Sequence, residues 1–203
     1  KKEDAFDEKA KTTHDPFDED EKARECTGRA THESVSSPKW ARLTACISSQ
    51  VGCAMACKFC LTGVQGLDRS LQAHEIVTQV HELRRVAPIT NIVFMGMGEP
   101  LANYDRVWSA VTRLHGDMGL SARHLTLSTV GIVPGIRRLA AESLPVNLAV
   151  SLHAANDEKR NKIMPINEQN SLEALAEALR YFHEKTGTRV TYEYIVFKDF
   201  NDD

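Results

Sequence analysis

Cys53, Cys57 and Cys60 fall in the stretch Val51-Gly-Cys-Ala-Met-Ala-Cys-Lys-Phe-Cys60, spaced C-x3-C-x2-C with the aromatic Phe59 directly before the last thiol. Three thiolates hold three irons of a [4Fe-4S] cubane and leave the remaining iron without a protein ligand, free to bind a small molecule. Such an iron points to chemistry rather than to electron storage. Zinc sites usually pair two C-x2-C units, and here the nearest histidine is His74. A simple electron-transfer cluster would need Cys46 or Cys26 as a further ligand.

These residues need elements to hold them. From Leu43 onward, short β-branched runs alternate with helical ones, the pattern of βα units around a parallel sheet. Five strands are expected: Leu43 to Ser48, Asn91 to Met95, His124 to Ser128, Val146 to Leu152 and Val190 to Phe197. A helix over Ala73 to Val86 puts Ile76, Val77, Val80 and Leu83 on one face, and one over Tyr104 to Leu114 does the same for Val107, Trp108, Val111 and Leu114. A third helix, Ser171 to Lys185, is expected to be capped by Asn170, with Glu173 three residues on, and to stop at Gly187. Gly131, Pro134 and Gly135 predict a turn before a short helix at Ile136 to Glu142. Periodicity does not choose between an open doubly wound sheet and a barrel; in both, ligands bind beyond the carboxyl ends of the strands. The cysteines follow the first strand, at that end.

Composition sets the bounds. A chain of 203 residues, 42% hydrophobic and 26% charged, fits one globular domain or most of a larger one. No run approaches the roughly 18 apolar residues of a membrane span, so no membrane is expected, and the default is a soluble, intracellular protein. Five cysteines, three of them within eight residues, suit a metal site in a reducing compartment better than a disulfide framework. Residues 1–25 hold ten acids and six bases, so the chain's net charge of −3 belongs to its N-terminal part. Residues 1–30 read as an acidic, disordered tail, and residues 31–203 as the core domain. The near-neutral body carries no clustered basic patch of the kind that phosphate contacts need. The first residue is Lys rather than Met, which suggests a piece of a longer chain.

Met95-Gly-Met-Gly-Glu-Pro100 comes directly off the second strand. Its glycines let backbone approach a ligand, and Glu99 offers a carboxylate to a ligand ammonium. Read alone, it is equally an ordinary strand-end turn. With Cys46-Ile-Ser-Ser-Gln-Val-Gly-Cys53, Leu125-Thr-Leu-Ser-Thr129 and Ser151-Leu-His-Ala-Ala-Asn-Asp157, however, the chain resembles the RlmN/Cfr family of radical S-adenosyl-L-methionine (radical SAM) RNA methyltransferases. The resemblance runs from about Glu33 to Asn201.

That resemblance implies a partial TIM-type (β/α)6 radical SAM barrel, incomplete here with about five strands, and two cofactors, a [4Fe-4S] cluster and SAM. Cys53, Cys57 and Cys60 would hold the cluster; Phe59, Gly98, Glu99, Ser128, Ser151, Leu152 and His153 would line the SAM site. In the family the reduced cluster cleaves SAM to a 5'-deoxyadenosyl radical, which acts on a methylated cysteine; the resulting carbon radical adds to an adenine. Cys46 matches the thiol that then attacks that cysteine's sulfur and releases product as a disulfide forms. Glu33, thirteen residues before Cys46, matches a glutamate implicated in proton abstraction. The implied partners are 23S rRNA, with tRNA as a second substrate, and an electron donor such as flavodoxin or ferredoxin; the implied compartment is the cytoplasm.

The C2-methylating branch is the expected one. The methyl-carrying cysteine is expected well beyond Asp203, in a C-terminal region, and Cys26 takes no role. Two other classes compete. A radical SAM enzyme acting on another substrate would share every cluster and SAM residue without needing Cys46, and a non-catalytic iron-sulfur or zinc module would cleave no SAM.

Overall fold

The structure, a computed structural model, describes residues 42–202. The acidic tail over residues 1–30, Cys26 and Glu33 lie outside the described residues. In chain order the elements are β1 (Thr44–Cys46), β2 (Gln50–Gly52), α1 (Leu61–Gln65), β3 (Leu67–Ser70), α2 (Ala73–Val86), β4 (Asn91–Phe94), α3 (Tyr104–Gly116), β5 (Leu125–Thr129), α4 (Val133–Leu139), β6 (Asn147–Ser151), α5 (Asp157–Ile163), α6 (Leu172–Thr186) and β7 (Val190–Glu193). Short 3-10 turns precede α3, β5 and α6.

The main sheet runs β1-β4-β5-β6-β7, every neighbouring pair parallel. Each strand therefore joins beside its predecessor, with no reversal of order. A doubly wound sheet reverses at its switch point, whereas a barrel does not. The question that periodicity left open is thus answered by strand order, and the architecture is that of a partial barrel.

Register decides which side chains face which layer. Ile92 pairs with Leu125, Phe94 with Leu127, and Leu127 with Leu148. These are at most 2% exposed and form one cluster with Ile76 and Val80 of α2, Val107 and Val111 of α3, and Leu175, Leu179 and Phe182 of α6. Alternate positions turn to the opposite face. There Cys46 pairs with Val93 and Val93 with Thr126, while Ser128 pairs with Ala149 and Ser151 with Glu193. That second face carries the polar groups.

The helices follow their apolar periods. Helix α2 opens on a capping box, Gln72 N–H donating to Glu75 Oε2 at 2.8 Å. Helix α6 differs at its start from the expectation: Ser171, not Asn170, is the cap, its Oγ accepting from Ala174 N–H at 3.3 Å. Asn170 is spent instead on α4, accepting from Val133 N–H at 3.1 Å. Gly187 ends α6 in the left-handed region, φ 65°, as expected. Helix α4 begins earlier than expected, at Val133, because Pro134 suits a first helical turn rather than a preceding one.

Candidate active site at the carboxyl ends of the strands

The cysteine loop hangs between two strands that the sequence did not announce. β2 and β3 pair antiparallel, and Cys53 N–H donates to the Gly66 carbonyl at 2.9 Å, closing the loop at its base. Gly52 stands there at φ 77°, and a Cβ on it would overlap the Gly66 carbonyl, so only glycine fits. Within the loop Cys60 N–H donates to the Cys57 carbonyl at 3.1 Å, and Cys60 caps α1. From outside, Lys58 N–H donates to the Ile163 carbonyl of α5 at 2.9 Å.

All three thiols are free; Cys57 is buried, and Cys53 and Cys60 are half-buried. Burial pushes Cys57 up to about 11, with the charges of Cys53 and Cys60 adding to it, and raises Cys53 by the same dominant cause. The three sulfurs therefore lie within one another's fields. Among the described residues, no three His, Cys, Asp or Glu side chains converge tightly enough for a single metal ion. A cubane takes its thiolates at three separate irons, which suits a soft, all-sulfur donor set spread along a loop. Bound iron would also overcome the raised thiol values, since a coordinating metal deprotonates its thiol outright.

Beside the loop, Gln50 is 2% exposed and joins the β2–β3 ribbon to the turn after β4. Its Nε2 donates to Ser70 Oγ at 3.1 Å, and its Oε1 accepts from Glu99 N–H at 2.9 Å. Gly98 has φ 98°, and a Cβ there would come within 2.5 Å of the Gln50 side chain. Glu99 is 2% exposed. It accepts from Leu101 N–H at 2.9 Å and Val130 N–H at 2.8 Å, and from the Thr129 hydroxyl. Burial outweighs these donors and pushes the carboxyl up to about 7. Among the described residues no cation is paired with it, so a ligand ammonium would complete the site.

Glu99, Gly98, Ser128, Ser151 and Glu193 line one cleft of about 140 Å³. Glu193 is a side chain of this cleft that the sequence did not point to. Its Oε2 accepts from Ser151 Oγ at 3.0 Å and from Ser128 Oγ at 3.3 Å. A hydroxyl has one proton. Both serines spend theirs on Glu193, so toward the cleft they can only accept. The one sequence signal was an acid amid the apolar run of the last strand, in register with Ser151.

His153 follows β6 with φ 57°, 4% exposed. Its Nδ1 accepts from Ile195 N–H at 3.1 Å, which leaves the proton on Nε2. Burial lowers its pKa, so the ring is neutral at pH 7. Phe59 meets this ring edge-on at 4.8 Å and touches Phe197 at 5.8 Å, which brings the cysteine loop onto the end of β6. Leu152 is half-buried, its N–H donating to the Glu193 carbonyl at 2.9 Å. Cys46 ends β1, exposed, on the polar face of the sheet. A larger cavity, about 510 Å³, lies between α6 and β7 beside Arg180, His183 and Tyr192. It holds none of the strand-end groups, and size alone does not make it the reactive site.

Comparison with known proteins gives the family. The profile described as the radical SAM superfamily matches residues 47–203. The chain is 49% identical over 168 residues to the probable dual-specificity RNA methyltransferase RlmN of Dictyoglomus turgidum, covering 79% of this chain and 48% of that protein. It is 51% identical over 171 residues to the corresponding protein of Salinibacter ruber, covering 79% and 46%. The chain thus spans about half the length of the curated relatives it matches. Among solved structures, a radical SAM methyltransferase from Sphaerobacter thermophilus superposes with a TM-score of 0.77 at 46% identity, over 80% of this chain and 50% of that one. SuiB of Streptococcus suis, bound to S-adenosylmethionine, superposes at 0.55 over 78% of this chain and 33% of that one; at 15% identity the likeness bears on fold alone.

Proposed function

The chain belongs to the radical SAM superfamily and is RlmN-like, and on that footing we propose that it is the cluster- and SAM-binding core of an RNA methyltransferase acting on adenine C2 of 23S rRNA, and on tRNA, in the cytoplasm. What supports this reading is one juxtaposition: three thiols and a buried carboxyl, unpaired with any cation among the described residues, at the carboxyl ends of the same parallel sheet.

Cys53, Cys57 and Cys60 hold the cluster and leave one iron for SAM. Glu99 takes the SAM ammonium, and Gly98 keeps the backbone beside it free of a side chain. Ser128 and Ser151, their protons held by Glu193, accept from donor groups of the ligand. His153 presents Nε2–H, and Phe59 with Leu152 shields the same end from water. Bound there, the cluster and SAM supply a one-electron route to a carbon-centred radical, the electron coming from a flavodoxin- or ferredoxin-type donor. Cys46 supplies the thiol that would attack the sulfur of a second, methyl-carrying cysteine, so that the S–S bond forms as that sulfur's bond to the transferred carbon breaks and the carbon leaves with the RNA. Glu33 is assigned to proton abstraction.

The test is anaerobic reconstitution with iron and sulfide. The expected result is about four irons per chain and, on reduction, cleavage of SAM to 5'-deoxyadenosine and methionine, both lost in Cys57→Ala. Colourless protein holding zinc would overturn the cluster assignment. With the complete protein and a 23S rRNA fragment, mass spectrometry should find 2-methyladenosine; an 8-methyl product or unmodified RNA would overturn the substrate assignment.

A further inference from the structure

Arg160, on α5, is 0% exposed, yet every acceptor it reaches is neutral. Its Nε donates to the Leu152 carbonyl at 3.0 Å and Nη1 to Asn167 Oδ1 at 2.7 Å, while Nη2 donates to the Val130 and Ser151 carbonyls at 2.7 and 3.1 Å. Buried guanidinium groups are ordinarily bonded to a carboxylate. Here Asp157 is reached only through Asn167, whose Nδ2 donates to Asp157 Oδ1 at 2.7 Å.

The four acceptors are not scattered. Val130 gives its carbonyl to Arg160 and its N–H to Glu99. Ser151 and Leu152 turn consecutive carbonyls toward one cation, which extended strand geometry does not allow. The chain accommodates this at the next residue, where His153 takes φ 57°. The helix that carries Arg160 also holds the cysteine loop, through Ile163 and Lys58. One side chain and its helix therefore touch the end of β5, the end of β6 and the loop between Cys57 and Cys60.

We propose that Arg160 is a positioning residue for the radical chemistry: its fork fixes the strand ends around the SAM cleft, its helix fixes the cysteine loop against them, and its charge is the cationic counterpart of the anionic cluster. The inference rests on the cluster reading above. A cubane on three thiolates carries net negative charge, more when reduced, so a fixed buried cation favours the reduced state.

The experiment compares reconstituted wild-type chain, Arg160→Lys and Arg160→Met, with circular dichroism and thermal melting confirming that each is folded. Arg160→Lys keeps the charge and loses the fork; it should keep the wild-type cluster potential while the dissociation constant for SAM rises at least tenfold. Arg160→Met should lose the same affinity and also shift the potential negative by a tenfold change in the electron equilibrium, about 59 mV for one electron. Folded Arg160→Met at the wild-type potential, or folded Arg160→Lys at the wild-type affinity, overturns the proposal. Should Arg160→Met not fold, Asn167→Ala carries the test. It removes one acceptor without touching the charge, and unchanged SAM affinity there overturns the proposal as well. Wild-type protein that takes up neither cluster nor SAM refutes the cluster reading itself, and this proposal with it.

Discussion

At Glu99, burial and three hydrogen-bond donors pull on one proton in opposite directions, and burial prevails, from the ordinary 4.5 up to about 7. A carboxyl whose folded value lies above its unfolded one binds its proton more tightly in the native state. The stability it lends the ligand-free chain is thus fully present below about 4.5 and lost as pH rises to about 7, on the order of 3 kcal/mol in all. His153, lowered by burial, tilts the other way, so the difference between wild type and Glu99→Gln isolates the carboxyl. Urea unfolding across this window should show wild-type stability falling relative to that of the variant as pH rises; parallel profiles would contradict it. Since an ammonium needs the ionised carboxylate, SAM affinity should tighten as pH rises through about 7 and be insensitive there in Glu99→Gln. At Cys46 the expectation is kinetic: in the complete protein, Cys46→Ala should accumulate covalent protein–RNA adduct on denaturing gels, whereas unchanged turnover would favour chemistry on another substrate. The cysteines and Glu99 stood out in the sequence because their types and spacing suggest a ligand. Glu193 and Arg160 were not, because each acts through neighbours that only register and folding bring near.

Among the elements, the turn after β4 is the most demanding. At Gly98 an added Cβ would meet the Gln50 side chain and backbone nitrogen at 2.5–2.8 Å, at a φ that L residues rarely adopt. Gly98→Ala should cost about 2–4 kcal/mol in denaturant unfolding and abolish measurable SAM binding; a variant as stable as wild type would show that the turn tolerates displacement. All five strands of the main sheet and the three long helices were readable, the strands as short apolar, β-branched runs and the helices by an apolar period of 3.6. The β2–β3 ribbon was not: Leu67–Ser70 is exposed or half-buried throughout and shows no alternation. Helix α5 escaped for a different reason. Its one buried residue is Arg160, and a helix that buries a guanidinium leaves no apolar stripe to read.

Over the whole molecule, parallel pairing in chain order leaves β7 bonded only to β6 among the described residues. Beside that open edge Tyr192 and Val196 are 55% and 66% exposed, with Tyr194 and Ile195 near them. Exposed apolar edges recruit other strands. Sedimentation velocity should show concentration-dependent self-association of this chain, reduced in Tyr192→Lys/Val196→Lys; a wild-type chain monomeric at every concentration would contradict this. The same strand order bears on how the molecule is made. During synthesis each new strand of the sheet finds its partner already emerged, one βα unit earlier, so the sheet can assemble from the N-terminal side as the chain leaves the ribosome. No strand has to wait for a later one to fill a gap beside it. The cysteine loop, between β2 and β3, is emitted before the strand ends that close over it, so the thiols remain open to solvent until β6 and α5 dock.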